Sequence, residues 1–481
     1  MPATKIVLAS SKCVVPVLAL AMTSIAWSQQ SPTTWRADST DPVIVKQTQG
    51  FPVSGAESAA GLQAWVAEKT GVLSIDTRVN PATKTINIEF APVAVTSPTA
   101  YTPLFAPIQG KVLKTTELEA TSRIAQAAAR NNNETLQVNL GQAPAAGAAM
   151  PLAVTSAPSA DAPCSGSALF STYGQRYSGR NIVSLSGGCR IGYETSIQAN
   201  ASYGLASISE DSRGGHYRSL GLEVEHVFPW AISTTRYSET DYLQGGSLLA
   251  FGQGGHIKNF TQEFAKPLSG SSTLLYGFGV NEQTSRFQSV GFEDTTRFTN
   301  AMLGFSWRKE AGQANIKLYQ GLGGSRSFNA IPLSGDVDPK FTAVTVDGKS
   351  IYRLDRNATA EFTVAAQIGS KGAPSSMQFY GGGLDRGRAF IPGNIAGPSG
   401  IAGSAALVYP LNKTISGYIG IDGAVVSQNV GSNQSESSAY IGARGQVANS
   451  VSFDATYALP ITAPQGIEKP GRFTLRLNAG F

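Results

Sequence analysis

The C-terminal series Phe473, Leu475, Leu477, Ala479 and Phe481 is apolar at every second position, with Thr474, Arg476, Asn478 and Gly480 between. Side chains of an extended strand point alternately to its two faces, so this segment offers one face to an apolar medium and one to water. The pattern recurs upstream. Ile415, Gly417, Ile419 and Ile421 alternate within 414–426, and Ile316 and Leu318 alternate with Lys317 and Tyr319. From residue 165 onward, segments of about ten residues with this period are separated by Gly, Ser, Asn and Pro clusters, and helical periodicity disappears. A soluble sandwich also uses alternating strands. The charge content favours a membrane barrel instead: Asp, Glu, Lys and Arg make up only 14% of the chain, against about a quarter in globular proteins. At roughly twenty residues per strand and connection, this tail has room for about sixteen strands, an even number that suits a closed antiparallel barrel. The expected strands include 167–176, 181–186, 195–208, 219–227 and 472–481.

Ahead of the tail, residues 1–28 read as an export signal. Lys5 and Lys12 precede the apolar run Val14–Ala26, and Ala26-Trp27-Ser28 supplies small residues for cleavage. Cys13 would leave with it, so that Cys164 and Cys189 enter a compartment where disulfides form. Residues 29–83 carry one helical pattern, 58–70, with Leu62, Trp65 and Val66 on one face. Residues 84–160 read as a small α+β module: a strand over 85–95, a short helix over 101–107, a stop at Gly110, a helix over 115–130 capped by Thr115 or Thr116, and strands over 135–140 and 151–155. An Ala/Pro/Ser-rich linker leads into the barrel. If the first two barrel strands turn near Ser178-Gly179, Cys164 and Cys189 both lie at the base of that hairpin. They can form a disulfide there; two unpaired thiols are the alternative.

Chemistry-bearing motifs are absent from the sequence. It contains no Gly-x-Ser-x-Gly, His-Glu-x-x-His, Walker or Cys-x-x-Cys pattern. The three histidines, His216, His226 and His256, have no metal spacing. A net charge of +5 without a dense Lys/Arg stripe gives no reason to expect a nucleic-acid partner. Neither a catalytic centre nor a cofactor or metal is expected.

Four segments carry a likeness to a known family. They are Tyr101–Gly110 followed by Thr116-Glu-Leu; Tyr173–Gly179; Pro374–Gly382 leading into Asp385-Arg386-Gly387-Arg388; and Tyr418-Ile-Gly-Ile-Asp422-Gly423. On these the chain, from about residue 84 to the end, resembles the outer-membrane transporters of two-partner secretion, the hemolysin secretion and activation proteins, within the outer-membrane assembly-factor superfamily. The resemblance implies a periplasmic POTRA-like domain at 84–160 and a barrel at 161–481 whose sixth extracellular loop, around 372–400, folds inward. Residues 29–83 would be a plug helix with its linker or a degenerate first POTRA. The resemblance further implies that Arg386 and Gly387 form the loop tip, with Arg386 paired to Asp422, which lies on the lumen parity of its strand. Asp385 and Arg388 stand where the family carries Val and Tyr.

The function so implied is a translocation pore that passes a partner exoprotein, large, β-helical and hemolysin- or adhesin-like, across the outer membrane. Further expected partners are outer-membrane lipid and the barrel-assembly machinery, which would read the closing series Phe473, Leu475, Leu477 and Phe481. A barrel-assembly insertase and a passive porin are the rival readings; the first needs a long POTRA array, and the second leaves the head and the loop motif without a role.

Overall fold

Antiparallel strands, sixteen among the described residues, follow one another in sequence order around a wall that closes between Arg472–Gly480 and Cys164–Ser171. The computed structural model describes residues 35–481 apart from 50, 175–177, 206–211, 330–336, 356, 429–431, 449 and 465–470. The expected export signal therefore lies outside the described residues, as does part of the Tyr173–Gly179 segment.

The alternation read from the sequence becomes the two faces of the wall. Leu220, Leu222, Phe278, Leu303, Ile419 and Phe473 are exposed on the outside. In the same strands Glu223, Asp422 and Thr474 take the opposite parity and face the lumen. A closed sheet leaves no backbone edge unpaired, and apolar side chains on its outer surface make it a membrane-spanning barrel. No helix among the described residues is long and apolar enough to cross a membrane.

Strand ends differ from expectation where glycine hides the pattern. The second strand runs Ile182–Ile191 rather than stopping at 186, because Gly187 and Gly188 erase the side-chain alternation while the backbone ladder continues opposite Ala199 and Gln198. The first strand ends at Ser171 rather than 176. Its pairing with the second sets Cys164 directly opposite Cys189, and the two are joined in a disulfide with Cα atoms 4.1 Å apart.

The head divides differently from expectation. The strand anticipated over 85–95 is two strands in two sheets, separated at Ala91-Pro92. Thr85–Phe90 pairs with Ile75–Asn80 and Arg36–Asp38 in one sheet; Val93–Thr96 pairs with Met150–Pro158 in the other, whose far strand is Glu134–Leu140. Each sheet has its own helices and core. Helices Pro42–Thr48 and Ser58–Thr70 bury Ile44, Leu62 and Val66 against Ile75, Ile86 and Ile88. Helices Thr102–Phe105 and Thr115–Asn131 bury Leu104, Phe105, Ile124 and Ala128 against Val93, Leu136 and Leu152. The boundary expected at residue 84 thus falls within the first module, and 36–90 and 91–158 are two α+β modules. The longer helix begins after Lys114, whose backbone N–H donates to Glu117 at 3.4 Å; the Thr115 hydroxyl donates to Gly71 O instead of capping. In the second module Tyr101 donates to Glu134 at 2.5 Å, and burial together with this bond pushes its phenol above the ordinary value.

The second module is seated on the barrel. Its core is continuous with Val227, Tyr193 and Ile232 at the short turns of the barrel. Along one face of its long helix Glu119 accepts from Gly270 N at 2.8 Å, and Arg123 donates to Ser269 O and Ser272 O at 2.9 and 3.1 Å. Arg190 on the barrel rim donates to Asn133 at 3.0 Å.

Candidate functional site: a loop pinned inside the barrel

Between strands Ala358–Gly369 and Ser399–Pro410 the chain makes a long excursion into the lumen. A two-residue ladder, Phe379–Tyr380 with Ala396–Gly397, braces its stem. Phe379 and Ile395 pack on Ala402, Ala424 and Val426 of the wall. At its start Ser375 donates to Gln283, four strands around the barrel, at 2.6 Å. The loop therefore spans the lumen rather than lying along one side.

Its tip is held by a buried charged cluster. Asp422 and Arg388 are 5% and 9% exposed. The Asp422 carboxylate accepts the Arg388 backbone N–H at 3.1 and 3.2 Å and the Ser438 hydroxyl. Arg388 Nε lies 3.3 Å from Asp422 Oδ2, a Coulombic contact without hydrogen-bond alignment, while its Nη2 donates to Asp385 at 2.7 Å. The guanidinium also lies 4.0 Å from the centre of the Tyr440 ring, close enough for a cation–π attraction. Ser404 donates to Asp385 at 3.1 Å, which ties the tip back to its own stem strand.

Arg386 is not the partner of Asp422. It donates to Tyr380 O at 3.0 Å and lies 4.8 Å over the Phe379 ring, so it stiffens the loop from within. Backbone geometry accounts for the exchange. Asp385 has φ +61° and Gly387 φ +120°, and these two left-handed residues turn the chain on either side of Arg386, aiming it at the stem and Arg388 at the wall. Gly387 is needed for space as well as conformation: a β-carbon there would lie 3.2 Å from Glu436 Oε1 and 3.3 Å from the Phe390 ring.

Two further residues of the site escaped the sequence reading. Glu436 is 1% exposed and accepts from Asn394 Nδ2 at 2.8 Å; it takes the lumen parity two residues before Ser438. Arg472, 4% exposed, donates through its two terminal nitrogens to Phe390 O of the loop and, at 3.2 Å, to Thr172 O beyond the first strand. Parity could have placed both in the lumen. Nothing local in the sequence marks their reach to the loop.

At the closing seam the backbone ladder runs from Ser167–Gly480 to Ser171–Arg476. Above it backbone and side chains together continue the closure: Thr172 N donates to Leu475 O at 3.0 Å, Thr172 Oγ1 accepts Leu475 N at 2.9 Å, and Thr474 donates to the Tyr173 hydroxyl at 2.9 Å. Of the closing series, Phe473, Leu477 and Phe481 are exposed on the outer face and Leu475 is half-buried.

No family model matches the sequence, and no curated protein does. Solved structures share its fold at low identity. CdiB from Escherichia coli superposes with a TM-score of 0.74 at 14% identity, over 100% of this chain and 94% of that one. CdiB from Acinetobacter baumannii gives 0.65 at 12%, over 94% and 91%. BamA from Haemophilus ducreyi lacking POTRA domains 1-3 gives 0.53 at 12%, over 92% and 98%. The barrel and its head therefore have the architecture of these outer-membrane proteins.

Proposed function

We propose that the chain is an outer-membrane pore that passes a partner exoprotein from the periplasm to the outside. The observation that carries this reading is the plug: a loop that crosses the lumen and is pinned at its tip by Arg388, Asp385 and Asp422. A passive porin gains nothing from a closed lumen, whereas a conduit wide enough for polypeptide needs closure at rest. Two α+β modules, the second bolted to the barrel mouth, supply the periplasmic receiving surface. The motif resemblance to two-partner secretion transporters and the fold shared with CdiB point the same way. In this reading the modules face the periplasm, the partner arrives unfolded, and an extended segment of it adds to an exposed sheet edge. No catalytic step is involved. Deleting residues 36–158 should abolish release of the co-expressed exoprotein into the medium while the barrel still inserts. Undiminished release by the deleted chain would overturn the reading.

A further inference from the structure

Below the plug, on the side of the modules, the lumen contains a cavity of about 820 Å³ against one sector of the wall, formed by strands Cys164–Ser171, Ile182–Ile191, Thr195–Gly204 and those from Ile415 to Gly480. The sector differs chemically from the wall opposite. Its first three strands face the cavity with Ser167, Ser184, Ser186, Asn200 and Ser202, interrupted by Leu169, and charge enters with Arg476 on the strand paired to the first of them and, farther on, with Arg444 and Asp454. The hydroxyls form cross-strand rungs: Ser167 with Ser186 and Ser184 with Ser202, each at 2.7 Å. Opposite, the lumen is lined by charged side chains that are already partnered, Lys317 with Glu263 at 2.8 Å and Asp347 with Asn315 at 2.7 Å.

We infer that the hydroxyl-lined sector is the surface along which the translocating polypeptide enters the barrel, in extended and uncharged form. The inference rests on the secretion reading and adds to it the wall that is used. A hydroxyl both donates and accepts, so it can satisfy the N–H or the C=O of a passing backbone in any register. Successive rungs stand two residues apart along the wall strand, the same spacing of about 6.6 Å at which an extended chain repeats its outward backbone groups. The ion-paired wall is a poor alternative, because a neutral chain laid on it must compete with charge-assisted bonds that are already made. The disulfide Cys164–Cys189 lies at the rim of this sector and fixes the strand by which the second module joins it.

The test uses the full mature chain with a photo-crosslinking amino acid placed at Ser184 or Asn200, or at Lys317 or Asp347 on the opposite wall. The probe is a biotinylated, unstructured Gly/Ser/Asn peptide of thirty or so residues, added from the module side. The expected result is at least a tenfold higher yield from Ser184 and Asn200 than from Lys317 and Asp347. Equal yields, a preference for the opposite wall, or no crosslink at any position would overturn the inference. Its failure is separable from that of the secretion reading: crosslinks on the wrong wall with normal exoprotein release refute the path alone, while loss of the reading appears in the release assay.

Discussion

Replacing Arg388 by Ala should unpin the plug, and replacing Arg386 by Ala should do so far less. Arg388→Ala removes the contact to Asp422 at 3.3 Å, the bond to Asp385 at 2.7 Å and the stacking on Tyr440, and leaves a carboxylate that is 5% exposed without a countercharge. Breaking one side of a buried pair costs about 3–5 kcal/mol. The low end, about 3 kcal/mol, applies here because Asp422 keeps the backbone N–H of residue 388 and the Ser438 hydroxyl. A shift of that size raises the population of the unpinned loop about a hundredfold. Arg386→Ala loses one bond to a carbonyl and a half-buried ring contact, about 1–2 kcal/mol and so about five- to thirtyfold. The assay is the open probability of single channels in planar bilayers, with heat-modifiable gel mobility checking that each barrel is folded. The reasoning is refuted if Arg386→Ala opens the channel as much as Arg388→Ala or more.

Other consequences follow from the same contacts. Arg388→Ala and Asp422→Ala should show a coupling of at least about 1 kcal/mol in a double-mutant cycle read from open probability, because the two groups touch; additive effects would mean they act separately. Gly387→Ala should also open the channel, since it imposes a side chain at φ +120° against Glu436 and Phe390, a strain of about 1–3 kcal/mol. Glu436→Gln should leave conductance near that of the parent, because its carbonyl oxygen can still accept from Asn394. Arg472→Ala should both raise open probability and lower the temperature at which the folded gel band is lost, because one side chain holds the loop and the seam; an effect on only one readout would separate them. Replacing both Cys164 and Cys189 by Ser should lower barrel stability by about 2–4 kcal/mol, read from the same band.

Much of the barrel was legible because alternation is a direct imprint of a two-faced wall: the closing strand could be drawn from Phe473 to Phe481 almost residue by residue. Where glycine replaced the marker side chains, as at Gly187 and Gly188, the strand continued unseen. The head was harder. Thr85–Val95 is rich in β-forming residues on both sides of Ala91-Pro92, and the packing of Ile86 and Ile88 on one core and Val93 on the other makes that proline a boundary between two modules rather than a kink in one strand. At the site, Asp422 was identifiable by parity and motif. The exchange of Arg386 for Arg388 was not, because it depends on left-handed backbone at Asp385 and Gly387, and the first of these is not a residue type that announces it. Glu436 and Arg472 reach the loop across 42 and 82 residues of sequence, a proximity that exists only once the barrel closes.

The central claim is that this barrel conducts polypeptide, and reconstitution tests it most directly. Purified protein is placed in sealed vesicles with its modules outward, unfolded exoprotein is added outside, and the fraction that becomes protected from added protease is measured. The account predicts protection that depends on residues 36–158 and is absent from protein-free vesicles. Passage of small solutes without any protected polypeptide would contradict it and leave an open channel for solutes in its place.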